Sequence, residues 1–202
     1  MKNINRIDQL KVLFENHGGI LKTINVIEFG IHHSFLKKAV ELGFVEKIKH
    51  GVYQWGENTV PSAWDLISYL YPDGIICSLS ALHYYRYIDR TPNVLHLAFE
   101  RTINRKRLKN NLVRIVAHFV STSLLDIGIT LEQIENHQLK IYNRERVICD
   151  VIRHMNRMDR EIVNQAIKSY LTDPQKQIAR LKTYSKTLRV ENKVNQLIGM
   201  WL

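Results

Sequence analysis

Residues 31–55 read IHHSFLKKAVELGFVEKIKHGVYQW. Phe35, Leu36, Ala39, Val40 and Leu42 recur near the period of an α-helix, which predicts a helix over roughly 32–42 with these residues inward. Gly43 ends it. Two short alternating runs follow, 44–48 and 52–55, in which Phe44 and Val45 pair with Val52, Tyr53 and Trp55. Lys49-His50-Gly51 joins them, and the glycine supplies the turn geometry. His32, His33, Ser34, Lys37, Lys38 and Glu41 stand opposite the apolar stripe, and Lys47, Lys49 and His50 cluster at the hairpin tip.

Upstream, Ile4, Ile7, Leu10, Val12, Leu13 and Phe14 predict an amphipathic helix over 4–16, closed by His17-Gly18-Gly19. Thr23 is read as the N-cap of a short second helix running to Phe29, with Ile24, Val26 and Ile27 as its apolar residues. Gly30 makes the turn into the third. Three helices and a basic hairpin in this order form a winged helix-turn-helix. In that geometry His32, His33 and Ser34, at the start of the third helix, are placed to meet base edges in a major groove. Lys37, Lys38, Lys47, Lys49 and His50 are suited to phosphates, where charge matters and geometry is loose. The expected partner is double-stranded DNA.

The whole chain supports a polyanionic partner. Its 202 residues carry a formal charge of +10, with an isoelectric point near 9.6. Residues 1–59 hold 8 Lys and Arg against 6 Asp and Glu, so most of the excess lies further on. At 45% hydrophobic and 24% charged, the composition is that of a folded soluble protein. Cys77 and Cys149 sit in apolar contexts without paired spacing, which predicts reduced core thiols and a cytoplasmic location. The N-terminus lacks an apolar signal core, and no apolar run approaches the roughly 18 residues of a membrane span.

Residues 56–61 read as a linker, dividing a reader domain (1–58) from a larger domain (59–202). Ser62 caps a helix over 63–70. Tyr71-Pro72-Asp73-Gly74 is a turn. Ile75 and Ile76 begin a buried segment, and Ser78-Leu79-Ser80 opens another helix. Residues 94–99 and 112–120 read as two paired strands. Between them lies the most basic run, RTINRKRLKNNLVR (101–114), with Arg101, Arg105, Lys106, Arg107, Lys109 and Arg114 and no acid. It reads as an exposed hairpin loop or as a second patch for phosphates. Residues 127–134 and 139–142 are two more strands. From Asn143 the pattern is helical. Asp150 is expected to be part-buried and paired with Arg146 or Arg153. Asp173 is read as the cap of a basic helix over 174–187 carrying Lys176, Arg180, Lys182 and Lys186, with Pro174 at its first position. A last helix covers 190–201. The expected fold class is α+β: the winged helix, a small and mostly antiparallel sheet, and a helical C-terminus.

Other chemistries find no pattern. The nine histidines are dispersed, and His32 and His33 are adjacent, so they point to different helix faces. There is no Gly-Ser pair with a following Asp-x-Asp, no Glu-x-Lys after a strand and no P-loop. Ser78 and Ser80 lie outside any Gly-x-Ser-x-Gly and read as helix caps. No catalytic residue, metal or cofactor is expected.

The order of GFVEKIKHGVYQW (43–55), CSLSALHYYRYIDRTPNVLHLAF (77–99) and KIYNRERVICDVIRH (140–154) resembles the AbiEi-type antitoxins of bacterial abortive-infection systems, transcriptional regulators of viral defence. The resemblance spans essentially the whole chain, and SALHYY and RERVICD are its more particular parts. It implies the antitoxin of a type IV toxin–antitoxin pair. The winged helix would bind inverted repeats at its own promoter and repress its operon. The larger domain would counter a nucleotidyltransferase-type toxin without a stable complex. The alternative is a winged-helix-targeted enzyme acting on nucleic acid or on the toxin through residues 59–202.

Overall fold

The computed structural model describes residues 2–56, 61–109 and 113–199, with the side chains of 2–5 left aside. The expected linker lies largely within 57–60, so the boundary drawn at residue 58 falls outside the described residues. The chain forms two compact units, residues 1–72 with 133–138, and residues 73–132 with 139–202.

The first unit runs α1 (Lys2–Glu15), β1 (Ile20–Lys22), α2 (Thr23–Glu28), α3 (His33–Glu41), β2 (Val45–Lys49), β3 (Val52–Trp55) and α4 (Ala63–Leu70). Its sheet has the order β1-β3-β2. Both pairings are antiparallel, with Ile20 opposite Gln54 and Val45 opposite Trp55. One core joins Leu10 and Phe14 of α1, Leu21 of β1, Val26 of α2, Phe35, Leu36 and Ala39 of α3, and Val45, Tyr53 and Trp55 of the hairpin. The helix stripe and the strand alternation are thus two sides of the same apolar cluster.

Four inward assignments fail. Val12 is 51% exposed and Leu42 56%, because each lies past the edge of its helix's stripe. On α2 only Val26 is buried, while Ile24 and Ile27 face out. Thr23 is the first helical residue and not the cap. The backbone N–H of the preceding Lys22 donates to Asn25 Oδ1 at 3.2 Å. The Thr23 N–H donates to the Gly51 carbonyl at 2.9 Å, which ties α2 to the hairpin turn.

Ser62 does cap α4. Its hydroxyl accepts from the Asp65 N–H at 3.1 Å, and the Asp65 carboxylate accepts from the Ser62 N–H at 2.8 Å.

The second unit contains β4 (Ile75–Ile76), α5 (Ser78–Tyr84), β5 (Leu95–Glu100), β6 (Ile115–Val120), α6 (Thr122–Leu125), β7 (Ile129–Ile134), β8 (His137–Tyr142), α7 (Arg144–His154), α8 (Arg160–Thr172), α9 (Ile178–Thr187) and α10 (Glu191–Ile198). The tip of the β7–β8 hairpin is the segment that belongs to the first unit. The sheet order is β6-β5-β4-β8-β7. β4 runs antiparallel to β5 and parallel to β8, and β5 runs parallel to β6.

The sheet is therefore mixed, not mostly antiparallel, and residues 101–114 are not a hairpin loop. Because β5 and β6 run parallel, the connection between them is a crossover; its residues 110–112, and with them the expected strand start at 112, lie outside the described residues. A parallel pair needs a connection of about a dozen residues or more, which this run supplies. It holds a 3₁₀ turn at Arg105–Leu108.

The strands β4 and β5 carry continuous buried apolar runs, Ile75-Ile76 and Leu97-Ala98-Phe99, as strands covered on both faces do, whereas β8 alternates, with Leu139 and Ile141 buried and Gln138 and Lys140 exposed. The helix α7 buries Val147, Ile148, Cys149, Val151 and Ile152 and packs against α5, α8, α9 and α10. The result is a mixed α/β chain with two small sheets and a helical C-terminus. Cys77 and Cys149 are free and buried.

Candidate functional site

On the first unit, Phe35, Leu36 and Ala39 anchor α3 and leave His32, His33, Ser34, Lys37 and Lys38 exposed. His32 caps the helix: its Nδ1 accepts from the Ser34 N–H at 3.3 Å and lies 2.8 Å from the Ser34 hydroxyl. The rings of His32 and His33 lie 4.9 Å apart. His32 and Ser34 thus hold each other, while His33, Lys37 and Lys38 project without an ion pair among the described residues.

On the hairpin, Lys47 is exposed opposite Tyr53 and Lys49 is half-buried opposite Val52. An irregularity between them breaks the ladder, so the strict alternation of side chains lapses there. His50 is exposed at the turn, where Gly51 has φ +75°. A non-glycine residue would be strained at that angle. None of Lys47, Lys49 and His50 is ion-paired among the described residues. The face of α3 and the hairpin are consecutive parts of one small core, and both present cations without an ion pair among the described residues.

The second basic run does not form one patch. Arg101 lines a cavity. The Arg105 guanidinium lies 4.5 Å from the centre of the Phe119 ring, a cation–π contact. Arg107 pairs loosely with Asp73 at 3.4 Å, both largely exposed. Lys106, Lys109 and Arg114 are exposed. The basic C-terminal helix is also partly engaged: Arg180 reaches buried Glu145 at 3.7 Å and Lys186 reaches Glu191 at 3.7 Å.

The RERVICD segment forms an internal scaffold. Arg146 is 2% exposed and lies over the Tyr142 ring at 4.1 Å. It donates to Asp150 at 2.9 Å and to the carbonyls of Leu124 and Ile127, each at 2.7 Å. Asp150 is therefore paired with Arg146, as one of the two expected partners. Glu145, also 2% exposed, accepts from the Gln177 N–H at 2.8 Å and from the Tyr170 hydroxyl at 3.4 Å. Such charges are tolerated inside because each is paired and hydrogen-bonded.

Sequence reading missed a cavity of about 580 Å³ in the second unit. Its lining includes His96 from β5 and His118 from β6, whose Nδ1 and Nε2 atoms lie 3.0 Å apart. Strands β5 and β6 run parallel in a register that brings Ala98 opposite His118, one face-repeat from His96. Burial pushes the His96 imidazole down to about 4, and the neighbouring His118 adds to this. Burial also lowers His118, against the pull of Asp150. Burial raises Asp150 against the opposing effect of Arg146.

Ser78 lines the same cavity with φ +48°. Neither Ser78 nor Ser80 is a cap. Cys77 occupies the N-cap position of α5 without a side-chain bond, and the Ser80 hydroxyl accepts from the His96 N–H at 2.9 Å. Among the described residues no group of three or more His, Cys, Asp or Glu could hold a metal ion. No helix among them is long and apolar enough to cross a membrane.

No protein-family model matches the chain, and no curated protein matches it. Among solved structures, it is similar to the crystal structure of the RV2827C protein from Mycobacterium tuberculosis. The identity is 13% and the TM-score 0.44, over 90% of this chain and 76% of that one.

Proposed function

We propose that the chain is a DNA-binding regulator whose first unit is a winged helix, with α3 as the recognition helix and the β2–β3 hairpin as the wing. The observation that carries this reading is the set of cations Lys37, Lys38, Lys47 and Lys49, without an ion pair among the described residues, on two adjacent, core-anchored elements. Their ammonium groups would contact phosphates and set the register of the protein on a duplex. His33, at the start of α3, would be the side chain nearest base edges. His32 would act by fixing the helix start.

The resemblance in the order of its segments extends the proposal. The protein would be an AbiEi-type antitoxin that represses its own operon through inverted repeats. Its second unit would counter a nucleotidyltransferase-type toxin without holding it in a stable complex. No catalytic residue is assigned, and the site of action would be cytoplasmic.

The test uses the full chain carrying Lys37→Glu, Lys38→Glu, Lys47→Glu and Lys49→Glu together. In a gel-shift titration this variant should lose binding to the DNA upstream of its gene. In cells co-expressing the neighbouring toxin it should still protect, because the second unit is untouched. Loss of both functions in a normally folded variant would contradict the division of labour.

A further inference from the structure

The cavity of the second unit is not used by the reading above, and its chemistry is specific. At about 580 Å³ it falls among small-molecule sites, which span roughly 300–1,000 Å³. Four arginines line it against two aspartates. Asp150 holds Arg146, and Asp159, whose Oδ1 accepts from the Glu161 N–H at 2.9 Å at the start of α8, keeps its charge, which leaves the lining a net excess of two positive charges. Arg146 is equally committed. Arg101, Arg153 and Arg157 are exposed and have no ion pair among the described residues. The site therefore offers three free guanidinium groups, whose planar donor forks match phosphate oxygens.

Beside them the wall is apolar, with Leu124, Val151 and Ile162. The half-buried His96–His118 pair adds polar ring atoms that need no counter-ion. Ser78 takes φ +48° at the cavity wall, an angle range that Arg86, Glu135 and Arg189 share outside the cavity. A free cation would meet arginines here. A bare inorganic anion would leave the apolar wall unused. A duplex is too wide for an enclosure of this size.

We propose that this cavity binds a phosphorylated small molecule of mononucleotide size, its phosphate held by Arg101, Arg153 and Arg157 and its base set against the apolar wall beside the His96–His118 pair. The site is independent of the DNA-reading surface, and the proposal stands or falls without it.

The experiment is calorimetric titration of the full chain with AMP, GMP, CMP and UMP at an ionic strength of about 0.15 M. At least one should bind once per chain with a Kd below about 1 mM. Its nucleoside and inorganic phosphate should each bind at least about tenfold more weakly. The pair Arg153→Gln and Arg157→Gln should weaken binding at least about tenfold, while Lys106→Gln with Lys109→Gln on the exposed crossover should leave it unchanged. Imidazole resonances of His96 and His118 should shift with saturation, and those of His33 and His50 should stay in place. If the doubly substituted protein melts lower than the wild type, Arg101→Gln replaces it in the titration.

The proposal is overturned if no mononucleotide binds at several-fold higher concentration, or if phosphate alone binds as well as the nucleotide. It is overturned too if the arginine substitutions change nothing, or if the crossover lysines matter equally. A response at His33 and His50 in place of the cavity histidines would likewise exclude it.

Discussion

Asp173 ties three segments of the second unit together. Its carboxylate accepts from the Tyr87 hydroxyl at 2.6 Å, from Arg144 Nε at 2.8 Å and from the Gln175 N–H at 2.7 Å. Burial works to raise this carboxyl, but the hydrogen bonds from Tyr87, Gln175 and Arg144 outweigh it and hold the group below its ordinary value. A carboxyl lowered in the folded state contributes stability above its unfolded value near 3.9, and that contribution is lost as pH falls through the folded value. Asp173→Asn should cost about 2 kcal/mol at neutral pH and flatten the acid limb of the stability curve below about pH 4.

His96 works in the opposite sense. Its folded value of about 4 lies below the unfolded value near 6.5. Between those limits the unfolded chain binds the extra proton, so acidification through this window destabilises the fold. His96→Gln should make the melting temperature less sensitive to pH across that window. Equal pH slopes for variant and wild type would remove His96 from the account.

Elements fail or hold together through particular positions. Gly128, just before β7, has φ +81°, and a Cβ there would come within 2.6 Å of the Arg146 Cβ. Gly128→Ala therefore combines backbone strain with a clash against the buried arginine. It should destabilise the second unit by more than about 1 kcal/mol, measured by urea denaturation. In the first unit, Leu36→Ala empties a site only 1% exposed on α3 and should cost about 2–5 kcal/mol. It should weaken any DNA binding only in proportion to the unfolded fraction.

The helix α3 and the two hairpin strands were legible because both periodicities occur in one short stretch and point to one core. β1 was not, since three residues flanked by Gly18 and Gly19 and by a helix give no alternation to read. Strand direction was also hidden. Nothing local distinguishes a hairpin loop from a crossover, and the partner strand decides. The start of α9 is hidden because Asp173-Pro174 has the form of a helix start. Asp173 spends its carboxylate on Tyr87, Arg144 and the Gln175 N–H, and the helix begins only at Ile178.

At the scale of the molecule, the two units share the charge unequally. The part that presents the candidate reading surface holds little of the formal +10. Its lysines matter by placement, on α3 and the hairpin, and not by number. The basic run at 101–114 looked like a second grip in sequence. It divides between a cavity lining, a cation–π contact, a loose ion pair and three exposed cations. The cavity itself was invisible in sequence because His96, Ser78, His118 and Arg153 come from four separate segments.

The central claim, that α3 and the hairpin hold duplex DNA by phosphate contacts, is tested most directly by salt-dependent binding to the upstream DNA. Each lysine that neutralises a phosphate adds about 0.9 to the slope of log K against log salt. The fourfold reversal at Lys37, Lys38, Lys47 and Lys49 should abolish specific binding. Single Lys→Gln variants should each lower the slope by about one. Unchanged affinity and an unchanged slope in the fourfold variant would contradict the assignment.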